Sequence, residues 1–100
     1  MDIHITTHHF DADQKLLAYI DSKLSKLGHY YDRIVDTQVF LKLENSGQVR
    51  DKIIEVKMNV PGDTLFATET AQTFEASTDL VVDNVKRQLI RYKERMRMRS

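Results

Sequence analysis

The stretch from Phe74 to Arg99 constrains the fold more than any other. At 3.6 residues per turn, Thr78, Val81, Val82, Val85, Leu89, Tyr92 and Met96 fall on one narrow stripe, which predicts a single long amphipathic helix. Such a helix must lay its stripe on a broader apolar surface, so the remaining chain has to supply a sheet, a second helix, or both. The rest of its circumference is charged: Arg87, Arg91 and Arg95 follow one i, i+4 row, while Lys86, Lys93 and Arg97 follow the other flank.

The preceding residues supply both partners. Ile3 and Ile5 alternate with His4 and Thr6, which predicts a short strand over Asp2 to Thr7. Asp13 is placed to cap a helix from Gln14 to Leu27, whose stripe is Leu16, Leu17, Ile20, Leu24 and Leu27; Gly28 then offers a left-handed stop. Lys15, Tyr19, Lys23 and Lys26 line one border of that stripe. Alternation resumes from Ile34 to Leu43, with Val35, Thr37, Val39, Leu41 and Leu43 expected inward. Glu44 to Lys52 is expected to be a polar hairpin loop, followed by a strand over Ile53 to Val60. Pro61-Gly62-Asp63 is a tight turn, Thr64 to Ala71 a fourth strand in which Glu69 interrupts the apolar side, and Thr73 the N-cap of the long helix. The expected architecture is α+β: a β-α-β-β-β-α two-layer sandwich, with a four-stranded mixed sheet carrying both helices on one face. The other sheet face would be left to solvent. No linker or repeat divides the chain, so residues 1–100 are expected to form one domain.

A formal net charge of zero argues at first against a nucleic-acid partner, but the average conceals a segregation. Residues 86–99 carry seven bases and one acid, Glu94, whereas residues 1–85 carry eight bases and fourteen acids. Such asymmetry governs what one face binds. Two or three bases would serve the helix macrodipole, and seven exceed that need. The chain has no cysteine, which removes disulfides, thiolate catalysis and cysteine-ligated zinc. No run approaches a membrane span, and Met1-Asp2-Ile3-His4 does not begin a signal peptide.

No catalytic constellation is visible. His8 and His9 are adjacent on a strand and point to opposite faces, so no metal is expected. Asp11 and Asp13 suit helix capping, and the three glycines are isolated turn residues rather than a phosphate-cradling loop. Tyr30, Tyr31 and Phe40 are able to stack on bases, but Tyr31 serves equally to lock the helix–strand junction and Phe40 to cover the open sheet face.

Two blocks carry a resemblance. Lys23-Leu24-Ser25-Lys26-Leu27-Gly28-His29-Tyr30-Tyr31-Asp32-Arg33-Ile34 resembles a K-x-x-K-L-x-x-aromatic-aromatic-D-R-I pattern, and Val85 to Arg95 is similar to an ending of the form R-Q-L-x-K-x-K. Val60-Pro61-Gly62 and Phe66-Ala67 fit the intervening hairpin. In this order and spacing the chain resembles the bacterial ribosome hibernation factors, the family of hibernation promoting factor and ribosome-associated inhibitor A.

The resemblance implies a fold related to double-stranded RNA-binding domains, and a non-enzymatic cytoplasmic factor without cofactor. Such a factor docks on the small subunit, where its basic helices contact 16S rRNA and overlap the messenger and transfer RNA sites, and so inhibits translation in non-growing cells. The implied partners are the 30S subunit, the 70S ribosome and 16S rRNA, with no membrane or DNA, and the protein is expected to be monomeric off the ribosome. Carried over by position, Lys23, Lys26, Lys86, Arg87, Arg91 and Lys93 are the implied phosphate contacts, and Arg95 and Arg97 extend the row. Asn84 stands where many relatives have lysine, and Glu75 where an aromatic or small residue is common. Because the sequence ends after the long helix, the resemblance is to a short form without a dimerising domain. A general double-stranded RNA-binding module and a protein-interaction domain using the basic helix face are the alternatives.

Overall fold

The computed structural model describes residues 1–46 and 49–98; Gly47 in the expected polar loop and Arg99 of the basic run lie outside the described residues. The order is β1 (Asp2–His8), α1 (Gln14–Ser25), a 3-10 turn (Lys26–His29), β2 (Asp36–Ser46), β3 (Val49–Val60), β4 (Asp63–Ala71) and α2 (Phe74–Met98). The strands lie in the order β1-β2-β3-β4, with β1 parallel to β2 and the other neighbours antiparallel, which is the expected mixed sheet. Parallel neighbours need a crossover, and α1 provides it.

Local chemistry accounts for the element ends. The Asp13 carboxylate accepts the Leu16 N–H at 2.8 Å, and the Thr73 hydroxyl accepts the Ala76 N–H at 3.0 Å, so both helices start on side-chain caps. Gly28 does not act as the left-handed stop expected of it. The chain tightens into the 3-10 turn instead, and Gly62, with φ +76°, is the described glycine that uses positive φ. Val60 pairs with Asp63, leaving Pro61-Gly62 as a two-residue loop in which proline presets one φ and glycine supplies the other.

Register aligns the inward residues. Ile5 lies opposite Val39, Val39 opposite Val56, and Val56 opposite Ala67. Onto this face pack Leu16, Ile20, Leu24 and Leu27 from α1 and the turn, and Val81, Val85, Leu89 and Tyr92 from α2, all within one core cluster. Fully burying a Val, Leu or Ile side chain is worth about 1.5–3 kcal/mol. Three expectations need correction. Val35 is 60% exposed and Leu43 40% exposed, while Ile34 is buried: residues 34 and 35 precede β2, and Leu43 lies toward the end of the sheet remote from the core. The Glu44 to Lys52 loop is mostly strand, because β2 and β3 stay paired out to Ser46 and Val49.

Tyr92 holds one end of the sandwich. It is fully buried, donates its hydroxyl to the Pro61 carbonyl at 2.5 Å, and meets the Tyr31 ring edge-on at 5.5 Å. Tyr31 therefore locks the junction, one of the two roles expected of it. Burial first, and the neighbouring Tyr31 second, push the Tyr92 phenol from 10.0 up to about 12. Since the folded value is the higher one, the stability this group contributes is complete below its unfolded pKa and is lost as pH rises through the folded one. Urea midpoints of the parent should fall between pH 10.0 and about 12, and Tyr92→Phe should lose less over that window. At neutral pH Tyr92→Phe should cost about 0.5–1.5 kcal/mol for the lost hydrogen bond. Gly62→Ala should cost about 1–2 kcal/mol by the same measurement, because alanine is strained at positive φ.

Candidate RNA-binding surface

The two helices run in the same direction along the sheet. Phe10, just ahead of α1, stacks on Phe74 at the start of α2 with centroids 5.1 Å apart. Further along, Tyr19 and Lys23 of α1 meet Asp79, and Tyr30 beyond the 3-10 turn meets Lys86 and Lys93. Both helices thus bring their C-terminal, partially negative ends to the same end of the molecule, where cations are favoured.

These contacts settle which flank of α2 faces α1. The Lys86 ammonium lies 4.8 Å from the Tyr30 ring centroid, and Lys93 Nζ donates to the Tyr30 carbonyl at 2.9 Å. Arg97 lines the same cleft, together with Gly28 and His29. Lys86, Lys93 and Arg97 therefore border the groove between the helices, and Lys26 opens the turn that forms its other wall.

The opposite flank of α2 lies over β4, to which the helix runs antiparallel. Asn84 Nδ2 donates to Glu69 at 2.9 Å, Gln88 Nε2 donates to the Phe66 carbonyl at 2.9 Å, and Arg95 pairs with Asp63 at 3.3 Å. Arg91 and Arg95 share a polar cleft here with Thr64 and Gln88. Arg87 faces outward and pairs with Asp83 one turn back at 3.5 Å. With both side chains mostly exposed, that pair is worth about 0.3–0.5 kcal/mol and leaves the guanidinium open to a stronger anion.

The eight expected cations do not form one patch. Lys86, Lys93 and Arg97 gather at the groove, Arg91 and Arg95 lie on the far flank, Arg87 stands between, and Lys26 is exposed at the start of the 3-10 turn. Lys23 is set apart toward the acidic half of α2, where its ammonium is 4.0 Å from Asp79 and 5.4 Å from the Tyr19 centroid. Asp79 also accepts the Tyr19 hydroxyl at 2.6 Å, and this hydrogen bond is the first cause of the upward shift of the Tyr19 pKa. Arg91 has no ion pair or hydrogen bond to another described residue, so an incoming phosphate would displace nothing. The acid at Glu69 and the amide at Asn84, two departures noted in the sequence, explain each other: the half-buried carboxylate is held by the amide.

The role of Tyr30 was only partly visible in sequence. An exposed aromatic beside a helix end suggested stacking, but nothing local showed that two lysines some sixty positions later would hold its ring and its carbonyl.

Known proteins share the sequence pattern and the fold. Residues 3–97 match the family model described as Sigma 54 modulation protein / S30EA ribosomal protein. A ribosome hibernation promoting factor from Azotobacter vinelandii is 33% identical over 95 residues, covering 95% of this chain and 85% of that protein. One from Salmonella typhimurium is 29% identical over 97 residues, covering 97% of this chain and 98% of that protein. The fold matches that of a ribosomal subunit interface protein from Coxiella burnetii with a TM-score of 0.83 at 22% identity, over 94% of this chain and 99% of that one. With a family match over nearly its whole length, the chain belongs to the Sigma 54 modulation protein / S30EA ribosomal protein family.

Proposed function

We propose that this protein is a cytoplasmic ribosome hibernation factor, in which residues 1–100 act as one ribosome-binding domain. It docks on the small subunit, places its basic helix surfaces against 16S rRNA, and blocks the messenger and transfer RNA sites by occupying them. The observation that carries this reading is the gathering of Lys86, Lys93 and Arg97 beside the 3-10 turn that begins at Lys26, with Arg87 and Arg91 continuing the surface around α2. Relatives over nearly the whole chain are named ribosome hibernation promoting factors, which supports the ribosome as the polyanion concerned.

The mechanism needs no bond making or breaking. Lys and Arg neutralise phosphates and release condensed counterions, and the rigid sandwich fixes the spacing between them. Specificity then comes from the shape of the RNA surface more than from base edges. Lys23 and Arg95, each partnered within the molecule, contribute less than Arg91 and Lys26.

Sedimentation with 30S subunits and vacant 70S ribosomes tests this directly. Co-migration should survive an excess of synthetic RNA duplex and weaken with salt, with a log–log slope of about −4 to −5 for about six phosphate contacts. Arg87→Glu combined with Arg91→Glu should remove association by at least about tenfold while leaving the circular dichroism spectrum unchanged. A folded double variant that binds 30S as the parent does would overturn the site, and displacement by the duplex would point to a general RNA-binding module.

A further inference from the structure

At the shared C-terminal end of the helices lies a cleft of about 660 Å³, open along one side, within the size range of small-molecule sites. Tyr30 is its aromatic wall. The residue is 39% exposed, yet it is pinned twice: Lys86 lies over one ring face and Lys93 holds the backbone carbonyl. A planar ring has two faces, and among the described residues no ring or cation other than Lys86 stacks on this one. Met96 and Pro61 add apolar lining, and Arg33, Lys93 and Arg97 bring cations to the same cleft against a single acid, Asp32. Tyr31, also in the lining, is engaged with Tyr92 and supplies structure.

A held aromatic face beside a cluster of cations matches one ligand chemistry, a nucleobase attached to a phosphate. The base stacks on the ring and the phosphate meets the ammonium and guanidinium groups. The open side admits a group that remains attached to something larger, and a base inside a duplex is stacked on both faces and cannot enter. We infer that the Tyr30 cleft receives one unpaired nucleotide of an RNA strand, its base stacked on Tyr30 and its phosphate held by Lys93 and Arg33. This rests on the RNA-binding reading above and deepens it. Phosphate contacts elsewhere on α2 position the molecule, and this cleft adds a requirement for an unstacked base.

The test uses the folded protein alone, followed by nuclear magnetic resonance. It is titrated with AMP, with ribose 5-phosphate, with a single-stranded RNA tetramer and with a blunt RNA duplex, which offers no unstacked base and should leave residues 28–33 unshifted. AMP should shift the backbone resonances of residues 28–33 and the Met96 methyl, ribose 5-phosphate should not at the same concentration, and the tetramer should saturate at lower concentration than AMP. Tyr30→Ala should weaken AMP and tetramer by about tenfold, as expected for the loss of one base–aromatic stack, and Tyr30→Phe should keep both. Equal shifts with ribose 5-phosphate, or shifts centred on Arg91 and Arg95, would show phosphate binding without a base site and overturn the proposal. AMP binding with no gain for the tetramer would assign the cleft to free nucleotides and overturn the RNA source. Sedimentation of the same variants with ribosomes separates the two levels. Ribosome binding with a silent cleft removes only this inference, and an occupied cleft without ribosome binding removes the functional reading.

Discussion

Tyr92 is the interaction on which the functional end of this molecule depends. Its ring fills the core, its hydroxyl ties α2 to the β3–β4 turn at Pro61, and its edge contact with Tyr31 ties the helix to the segment leaving the 3-10 turn. Three separate pieces of chain therefore meet at one side chain. Without that junction, Tyr30 would have no fixed position relative to Lys86 and Lys93, and the cations of α2 would extend from the sheet with no wall opposite them. The cost of keeping a phenol in the core is met by giving its O–H an acceptor, and the ionised form is correspondingly disfavoured.

Charge is arranged along the helix axis as well as around it. The first half of α2 carries Glu75, Asp79 and Asp83, and the second half carries Lys86, Arg87, Arg91, Lys93, Arg95 and Arg97 among its described residues. Each half complements its own end of the macrodipole, so stability and segregation favour the same sequence. Because α1 runs the same way, its end adds Lys26 to the basic pole instead of opposing it. A chain with no net charge thereby presents a strong local field.

Much of this was legible in sequence because buried faces impose a period. The stripes of both helices, the alternation in β3 and the caps at Asp13 and Thr73 reflect constraints local to a few turns. Legibility failed where no core acts. Leu43 lies opposite Lys52 and Glu44 opposite Asp51 in a ribbon whose polar composition reads as loop, although its backbone pairing continues. β2 begins only at Asp36, so its buried positions start at Thr37, two residues later than the apolar run suggests, leaving Val35 outside. Glu69 looked like a flaw in β4 until Asn84, fifteen residues on, was brought over it. The candidate site divides in the same way. Which residues are cationic is written in the sequence, but which flank faces α1 depends on how α2 lies across β4, and only the assembled sheet decides that.

The partnered and unpartnered cations have different physical consequences. Arg95 on Asp63 and Lys23 on Asp79 are held in place but partly neutralised, so an RNA phosphate must compete with a carboxylate for them. Lys86 and Lys93 are held by neutral groups, a ring and a carbonyl, which restrict the side chains without cancelling their charge. Ordering a long side chain on binding costs about 0.5–1.5 kcal/mol, and prior restraint removes part of that cost. The groove beside Tyr30 therefore combines full charge with reduced freedom. On that ground it should contribute more affinity per cation than the β4 flank, even though the β4 flank looks equally basic in sequence.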